Sequence, residues 1–445
     1  MDDGKRGGAP ADLARARDVF NRHMFPDNGG DEVQAGDLAG HQRVAATTGH
    51  AGRAAPRLDS TNEELGRATL ARVVEYLRKR YPYSDLQLQQ KSKIAMLMPR
   101  GLCALTRDPH VLAQEEIVAL LRYVFNHTLD PPFDPVRDRM RELQCRFRME
   151  DFDVRLTAYT CDDAAQLDGV EQDFSYKVWI RRHFRRQVSL SELGLDPSVV
   201  KALEALRYGL VLITGQHNAG KTTTAYSILD HINRSSHRHI LTLEDPVEVR
   251  LEQVKSTISQ RSIGENTPSF AAGLKQAMRM VPDVLFIGEL RDAESAALAL
   301  SYAEAGQLVI ATMHGNSLEG ALSRLINMFP AAEQEARRRQ LAAGLAVGLF
   351  QVLAPFKDNS GRMLAADALI ARLAGKSMSE VPDLVARGDL SRLSEMWRGA
   401  SPERSPFFRD TALLRGIKNG VLDRILTAAL MADPVAAQLL ERAER

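Results

Sequence analysis

Cysteine is scarce in this 445-residue chain: Cys103, Cys145 and Cys161 are odd in number and widely spaced. With no Cys-x-x-Cys pair, neither a disulfide framework nor a thiolate zinc site is expected, and a reducing cytosol is the compartment that fits. Excess charge of either sign is missing too, since 58 basic residues against 57 acidic leave a net +1. No global field therefore points to nucleic acid or an anionic membrane as the main partner. Long apolar runs are also lacking. The longest uncharged stretch, "LAAGLAVGLFQVLAPF" at 341–356, holds Gln351 and Pro355 and falls short of the roughly 20 residues a spanning helix needs. It reads as a buried helix. The opening "MDDGKRGGAPADLARARD" has acidic residues at its start and no apolar core, so it is not expected to act as a secretory signal.

What is present is length and a globular apolar content of 44%. So long a chain exceeds what one core normally organises, and two or three domains are expected. Residues 1–60, rich in Gly, Ala, Arg, Asp and His, read as a flexible N-terminal tail with at most one short helix near 11–24. Order is expected to begin at "STNEELGRATLARVVEYLRKRY", where Ser60 and Glu63 have capping-box spacing and Leu65, Leu70, Val73, Val74 and Leu77 form an apolar stripe. Strand candidates follow at 84–90, 93–98, 152–160 and 174–181, giving a mixed α/β domain over 61–190 with "LDPPFDPVRD" as an internal loop.

From 209 the pattern changes. "GLVLIT", "HILTLED", "DVLFIGE" and "QLVIATM" are short buried runs separated by helical stretches, which predicts an α/β domain with a parallel sheet covered on both faces over 191–360. A helical region is expected over 361–445, including "RDTALLRGIKNG" and "LDRILTAALMADPVAAQLLERAE". No internal repeat is found.

The stretch "GQHNAGKTTT" has the frame of a phosphate-binding loop: Gly215, four residues, then Gly220, Lys221 and Thr222. Such a loop needs glycines so that backbone N–H groups can face phosphate oxygens, a lysine as mobile charge and a hydroxyl for Mg²⁺. "GLVLIT" supplies the strand before it and "TTTAYSILDHIN" the helix whose N-terminus faces the anion. A chance match in this length is on the order of one in a hundred. Gly215, Gln216, His217, Asn218, Ala219, Gly220, Lys221, Thr222 and Thr223 are the candidate ligand-binding residues, with Thr222 holding Mg²⁺ through the nucleotide. The interior from His217 to Ala219 is unusual, and a Cβ at Ala219 would hinder a left-handed conformation.

Three further strands end in polar clusters. "VPDVLFIGELRD" brings Glu289 to a strand end, where it either reaches metal and water or serves as an ordinary first-turn helix acid. "ILTLEDPVE" ends in Glu244 and Asp245, an acidic site at the sheet edge or a polar turn. "LVIATMHGNS" places Thr312 and His314 at the end where ligands gather in open α/β sheets. The basic run "RRHFRRQ" at 181–187 contacts an anionic partner or nucleotide, or is a solvated linker.

In this order, "GQHNAGKT", "LTLEDPVE", "PDVLFIGELRD" and "AEAGQLVIATMHGNS" followed by "INMFP" resemble the PilT/GspE superfamily of secretion ATPases, closest to type IV pilus retraction ATPases. The resemblance runs from about Ser84 to the C-terminus and is dense over 188–330. It implies an N-terminal PAS-like domain, a RecA-like P-loop ATPase domain and C-terminal helices. It also implies a cytoplasmic homohexamer, peripheral at the inner membrane, that hydrolyses ATP with Mg²⁺ and works against an inner-membrane platform protein of a pilus, secretion or conjugation machine. No direct nucleic-acid binding is implied.

By position, Lys221 and Thr222 bind phosphates and Mg²⁺, Glu244 and Asp245 form the acidic box, Glu289 is the catalytic glutamate and His314 belongs to the histidine box. "DVRLTAY" and "VWIRR" nominate Arg155 and Arg181 as the arginines brought to the phosphates. The family's Gly-Ser-Gly-Lys core reads Asn218-Ala219-Gly220-Lys221 here, and Gln307 stands where a histidine is expected. The four-cysteine zinc motif of the assembly branch is absent. Ala219 and Gln307 motivate the other reading, a slow or degenerate nucleotide-binding structural subunit.

Overall fold

The computed structural model describes residues 60–78, 85–98, 103–105, 110–125, 133–140, 143–148, 152–162, 164–167, 170–184, 188–358, 360–373, 376–377, 380–393, 409–423 and 427–431. The expected tail over 1–60 and its short helix thus lie outside the described residues, Ser60 excepted. These residues divide into two compact units, with the change between Arg186 and Gln187.

In the first unit, helix α1 (Ser60–Arg78) carries Leu70, Val73, Val74 and Leu77 inward on the stripe read from the sequence. It packs with α2 (Gln114–Phe125) on one face of a six-stranded antiparallel sheet. The strands are β1 (Asp85–Leu88), β2 (Ala95–Leu97), β3 (Cys103–Leu105), β4 (Leu143–Arg148), β5 (Phe152–Cys161) and, after a small hairpin of β6 (Ala165–Leu167) and β7 (Val170–Gln172), β8 (Ser175–Phe184). Their order is β3-β2-β1-β8-β5-β4. The expected strands at 84–90, 93–98, 152–160 and 174–181 coincide with β1, β2, β5 and β8. Val154, Leu156, Ala158, Tyr176, Val178 and Ile180 point into the core, while Arg155, Thr157, Trp179 and Arg181 alternate onto the other face.

The second unit is a seven-stranded sheet in the order β11-β10-β12-β13-β9-β14-β15. In chain order these are β9 (Gly209–Gly215), β10 (His239–Glu244), β11 (Thr257–Ser262), β12 (Val284–Ile287), β13 (Leu308–His314), β14 (Leu345–Pro355) and β15 (Arg362–Ile370). All pairings are parallel except β14 with β15. Every residue of β9 and β12 is buried, the signature of strands covered on both sides. One face packs Leu210, Leu212, Leu285, Val309 and Ala311 against α5 (Phe270–Met280), α6 (Ala293–Glu304), α7 (Leu318–Asn327) and α8 (Ala331–Gly344). The other packs Val211, Ile213, Phe286, Leu308 and Ile310 against α3 (Pro197–Ala205) and α4 (Lys221–Ser235).

Two expectations are corrected here. Residues 341–356 are not a buried helix: α8 ends at Gly344 and the remainder is β14. Likewise 362–370, expected within a helical region, is β15. Both runs are rich in Leu and Ala, whose intrinsic preference is helical. Pairing of β14 with β9 on one side and β15 on the other overrides that preference. A run buried on both faces shows no alternation by which a strand could be told from a helix. Beyond them, "RDTALLRGIKNG" does form a helix, Arg409–Lys418.

Candidate active site

Parallel strands deliver their carboxyl ends to one edge of the sheet. Register pairs His314 with Gly215 and Ile287 with Ala311, so the residues following β9, β10, β12 and β13 cluster there. From β9 the chain turns through Gln216–Gly220 into α4, whose N-cap Gly220 is left-handed (φ 80°), as is Asn218 (φ 57°). Ala219 is not left-handed, so the steric conflict expected there does not arise. Its methyl is 5% exposed and packs inward. Gly215 is required by contact: a Cβ there would meet the Gln351 carbonyl oxygen at 2.6 Å.

The Lys221 ammonium folds back on the loop, donating to the carbonyls of Gly215 (3.1 Å) and Gln216 (2.8 Å). Burial lowers its pKa, partly opposed by the nearby Glu289 carboxylate. The Nζ also lies 3.5 Å from His314 Nδ1, and His314 Nε2 lies 3.3 Å from Glu289 Oε1. The His217 ring packs against that of His314 at a tilt of 47°, 4.4 Å between centroids. Burial, then Lys221, hold the His314 pKa below 6.5, while Glu289 acts the other way.

Glu289 precedes α6, whose N-cap is Asp292, which removes the alternative that it is a first-turn helix acid. Arg291 clamps its carboxylate, Nε at 2.7 Å and Nη2 at 2.6 Å, and reaches Asp245 at 3.4 Å. Arg291 was missing from the sequence reading, although its position two residues after Glu289 is the signal that would have found it.

The adjacent acids Glu244 and Asp245 part company. Asp245 is exposed on the site side, whereas Glu244 is buried, accepting from Tyr226 and Thr242, each at 2.6 Å. Burial pushes the Glu244 pKa up to about 7, against the pull of these hydrogen bonds. Tyr226, on the inner face of α4, was also missed; no motif marks it. Gln307 immediately precedes β13, at the opposite end of that strand from His314 and so about 20 Å from it.

Arg155 and Arg181 belong to the other unit. They stand opposite each other on β5 and β8, Arg155 donating to Gln144 (2.8 Å) and Arg181 to Asp85 (2.7 Å). The structure brings these two arginines together, and separately gathers Lys221, His314, Glu289 and Asp245.

Chemically, the second unit presents a loop of backbone N–H groups at a helix N-terminus, a lysine, a hydroxyl and two accessible carboxylates. That donor set fits a polyphosphate with Mg²⁺, a cation that prefers oxygen ligands. Among the described residues no group of His, Cys, Asp or Glu could hold a metal unaided, so phosphate oxygens and waters would complete the shell.

Residues 172–380 match the family model for type II/IV secretion system proteins. A twitching motility protein of Neisseria gonorrhoeae is 38% identical over 191 residues, 43% of this chain and 51% of the relative. The chain thus spans about half the length of this relative and of others like it. The crystal structure of the pilus retraction motor PilT with bound ADP superposes with a TM-score of 0.63 at 26% identity, covering 83% of this chain and 98% of that one. The Legionella pneumophila ATPase DotB gives 0.67 at 22%, covering 82% and 95%. The parallel sheet and the loop between β9 and α4 fit a RecA-like domain in the second unit, and the chain is similar over residues 172–380 to the PilT/GspE superfamily of secretion ATPases.

Proposed function

We propose that this chain is a P-loop ATPase that hydrolyses ATP and, as a homohexamer, powers type IV pilus retraction or a related secretion or conjugation machine. It would act in the cytoplasm, at the inner membrane, against a platform protein. The observation that carries this reading is the gathering of Lys221, Glu289 and His314 within hydrogen-bond reach beyond the ends of adjacent parallel strands. The relatives named as a pilus retraction motor and a twitching motility protein support the machine class. A PAS-like domain over 61–190, a RecA-like domain over 191–360 and a C-terminal region over 361–445 belong to the same reading.

In this mechanism Lys221 would leave the loop carbonyls for the β- and γ-phosphates, and Thr222 would help hold Mg²⁺, which would supply charge neutralisation at the phosphates. Glu289 orients the attacking water and accepts its proton as the bond to the γ-phosphorus forms and the β–γ bridge breaks. Asp245 orders the cation side, and Glu244, held by Tyr226, sets the end of β10. His314 keeps Glu289 and Lys221 apart at a fixed spacing. Arg155 and Arg181 neutralise charge on the transferred group. No nucleic-acid contact is involved.

Lys221→Ala is expected to abolish ATP binding, and Glu289→Gln to retain binding and lose hydrolysis. Turnover by Glu289→Gln at the wild-type rate would sink this mechanism. The clamp of Arg291 on Glu289 favours a second reading, a slow structural subunit that holds nucleotide. Steady-state phosphate release separates the two: a structural subunit binds ATP and releases almost none.

A further inference from the structure

Gln351 is the polar residue of an otherwise apolar strand, β14, and is 1% exposed. Its Nε2 donates to the Ala219 carbonyl at 2.5 Å, across to the phosphate loop. We propose that Gln351 is a positioning residue for that loop, holding the Ala219 carbonyl on the core side and thereby turning the Gly220 N–H toward the ligand. The inference rests on the nucleotide-site reading above.

The geometry follows from the peptide unit. The Ala219–Gly220 bond is trans, since Asp245–Pro246 is the cis bond among the described residues. In a trans peptide the C=O and N–H point in opposite directions. Anchoring the carbonyl to Gln351 therefore aims the amide of the next residue away from the core. Gly220 is left-handed and follows Ala219, which is not, and such alternation builds the concave nest of N–H groups that anions occupy.

Both loop glycines are fitted to the same residue. A Cβ on Gly215 would strike the Gln351 carbonyl oxygen at 2.6 Å, and one on Gly220 would come 3.3 Å from its Nε2. Residue 351 thus forms the floor of the loop through its main chain and its side chain together. The Oε1 of Gln351 is buried without a hydrogen-bond partner among the described residues. An amide kept in an apolar strand with one arm unpaired is disfavoured as mere packing, where leucine would serve. Its donor arm accounts for its presence.

Thr214 provides the comparison. Its hydroxyl donates to the Leu349 carbonyl at 2.8 Å, tying the same two strands without touching the loop carbonyl. The test uses the full chain with Gln351→Leu, Gln351→Met, Gln351→Glu and Thr214→Val, titrated with fluorescent ADP and followed by thermal unfolding. Loss of the donor in Gln351→Leu or Gln351→Met is expected to weaken binding about tenfold. Gln351→Glu should be weaker still above neutral pH and recover part of the loss on acidification, when its carboxyl can donate. Thr214→Val should lower the Tm while leaving the affinity within about twofold. Wild-type affinity in both apolar variants, or equal losses in them and in Thr214→Val, would overturn the proposal. A wild-type protein that bound no nucleotide would instead overturn the site reading itself, and this inference with it.

Discussion

His314 Nε2 stands 3.3 Å from Glu289 Oε1 while its Nδ1 stands 3.5 Å from the Lys221 ammonium. Only a neutral ring serves both neighbours, donating from Nε2 and accepting at Nδ1. Its lowered pKa, from burial and then from Lys221, agrees with that state.

The pH dependence follows in sign. Below 6.5 the unfolded ring takes a proton before the folded one does, so this stability is complete above 6.5 and is lost as pH falls through the folded pKa. The added proton also sets a cation beside Lys221. Turnover is therefore expected to fall on the acid side of 6.5, and His314→Gln to flatten that limb in a pH–rate profile. An acid limb of unchanged position and steepness in the variant would remove His314 as its source.

How far this site was legible in the sequence depended on local signals. The runs that became β9, β10, β12 and β13 are short, apolar and bounded by Gly, Pro or Asp, so strand and motif could be read together. β14 and β15 could not, because their Leu/Ala content favours helix and β9, the strand that joins their hairpin to the sheet, lies more than a hundred residues back along the chain. The division of labour between Glu244 and Asp245 was equally hidden. Tyr226, which decides it, lies 18 residues before Glu244 with no motif linking the two.

Burial of Glu244 has its own consequence. A carboxyl at about 7 in the folded chain, against 4.5, binds its proton longer than the unfolded chain does. Stability from this group is complete below 4.5 and is lost as pH rises through 7. Glu244→Gln keeps the shape and removes the charge. Its Tm is expected to exceed wild type at pH 8 by roughly 3 °C and to match it near pH 4.5. A variant less stable than wild type at pH 8 would contradict the buried-carboxyl account.

Ala219 invites the opposite substitution. Its backbone is not left-handed and its methyl packs inward, so glycine there removes a contact and adds freedom to the unfolded chain. Ala219→Gly is expected to cost about 0.5–1 kcal/mol in denaturant unfolding. It should leave phosphate release no faster. An accelerated rate would show that the alanine restrains turnover.

Arg155 and Arg181 face each other across β5 and β8, and like charges directly opposite are unfavourable in a sheet. Each has its own tether, Gln144 for Arg155 and Asp85 for Arg181, and the Asp85 side chain is only 4% exposed. The close placing of the two guanidinium groups is thus tolerated by the fold, and of the two only Arg181 holds a buried carboxylate. Removing Arg155 relieves repulsion and forfeits one hydrogen bond to a neutral amide, so Arg155→Ala is expected to unfold within about 0.5 kcal/mol of wild type. If Arg155 meets the transferred phosphoryl group, the same variant loses turnover about a thousandfold or more. Arg181→Ala differs, because it strands the buried Asp85 carboxylate and should lower the Tm as well as the rate. Arg181→Ala with Asp85→Asn restores the Tm and leaves the rate low. Wild-type turnover in a stable Arg155→Ala protein would assign this pair to the surface and leave the phosphates to Lys221 alone.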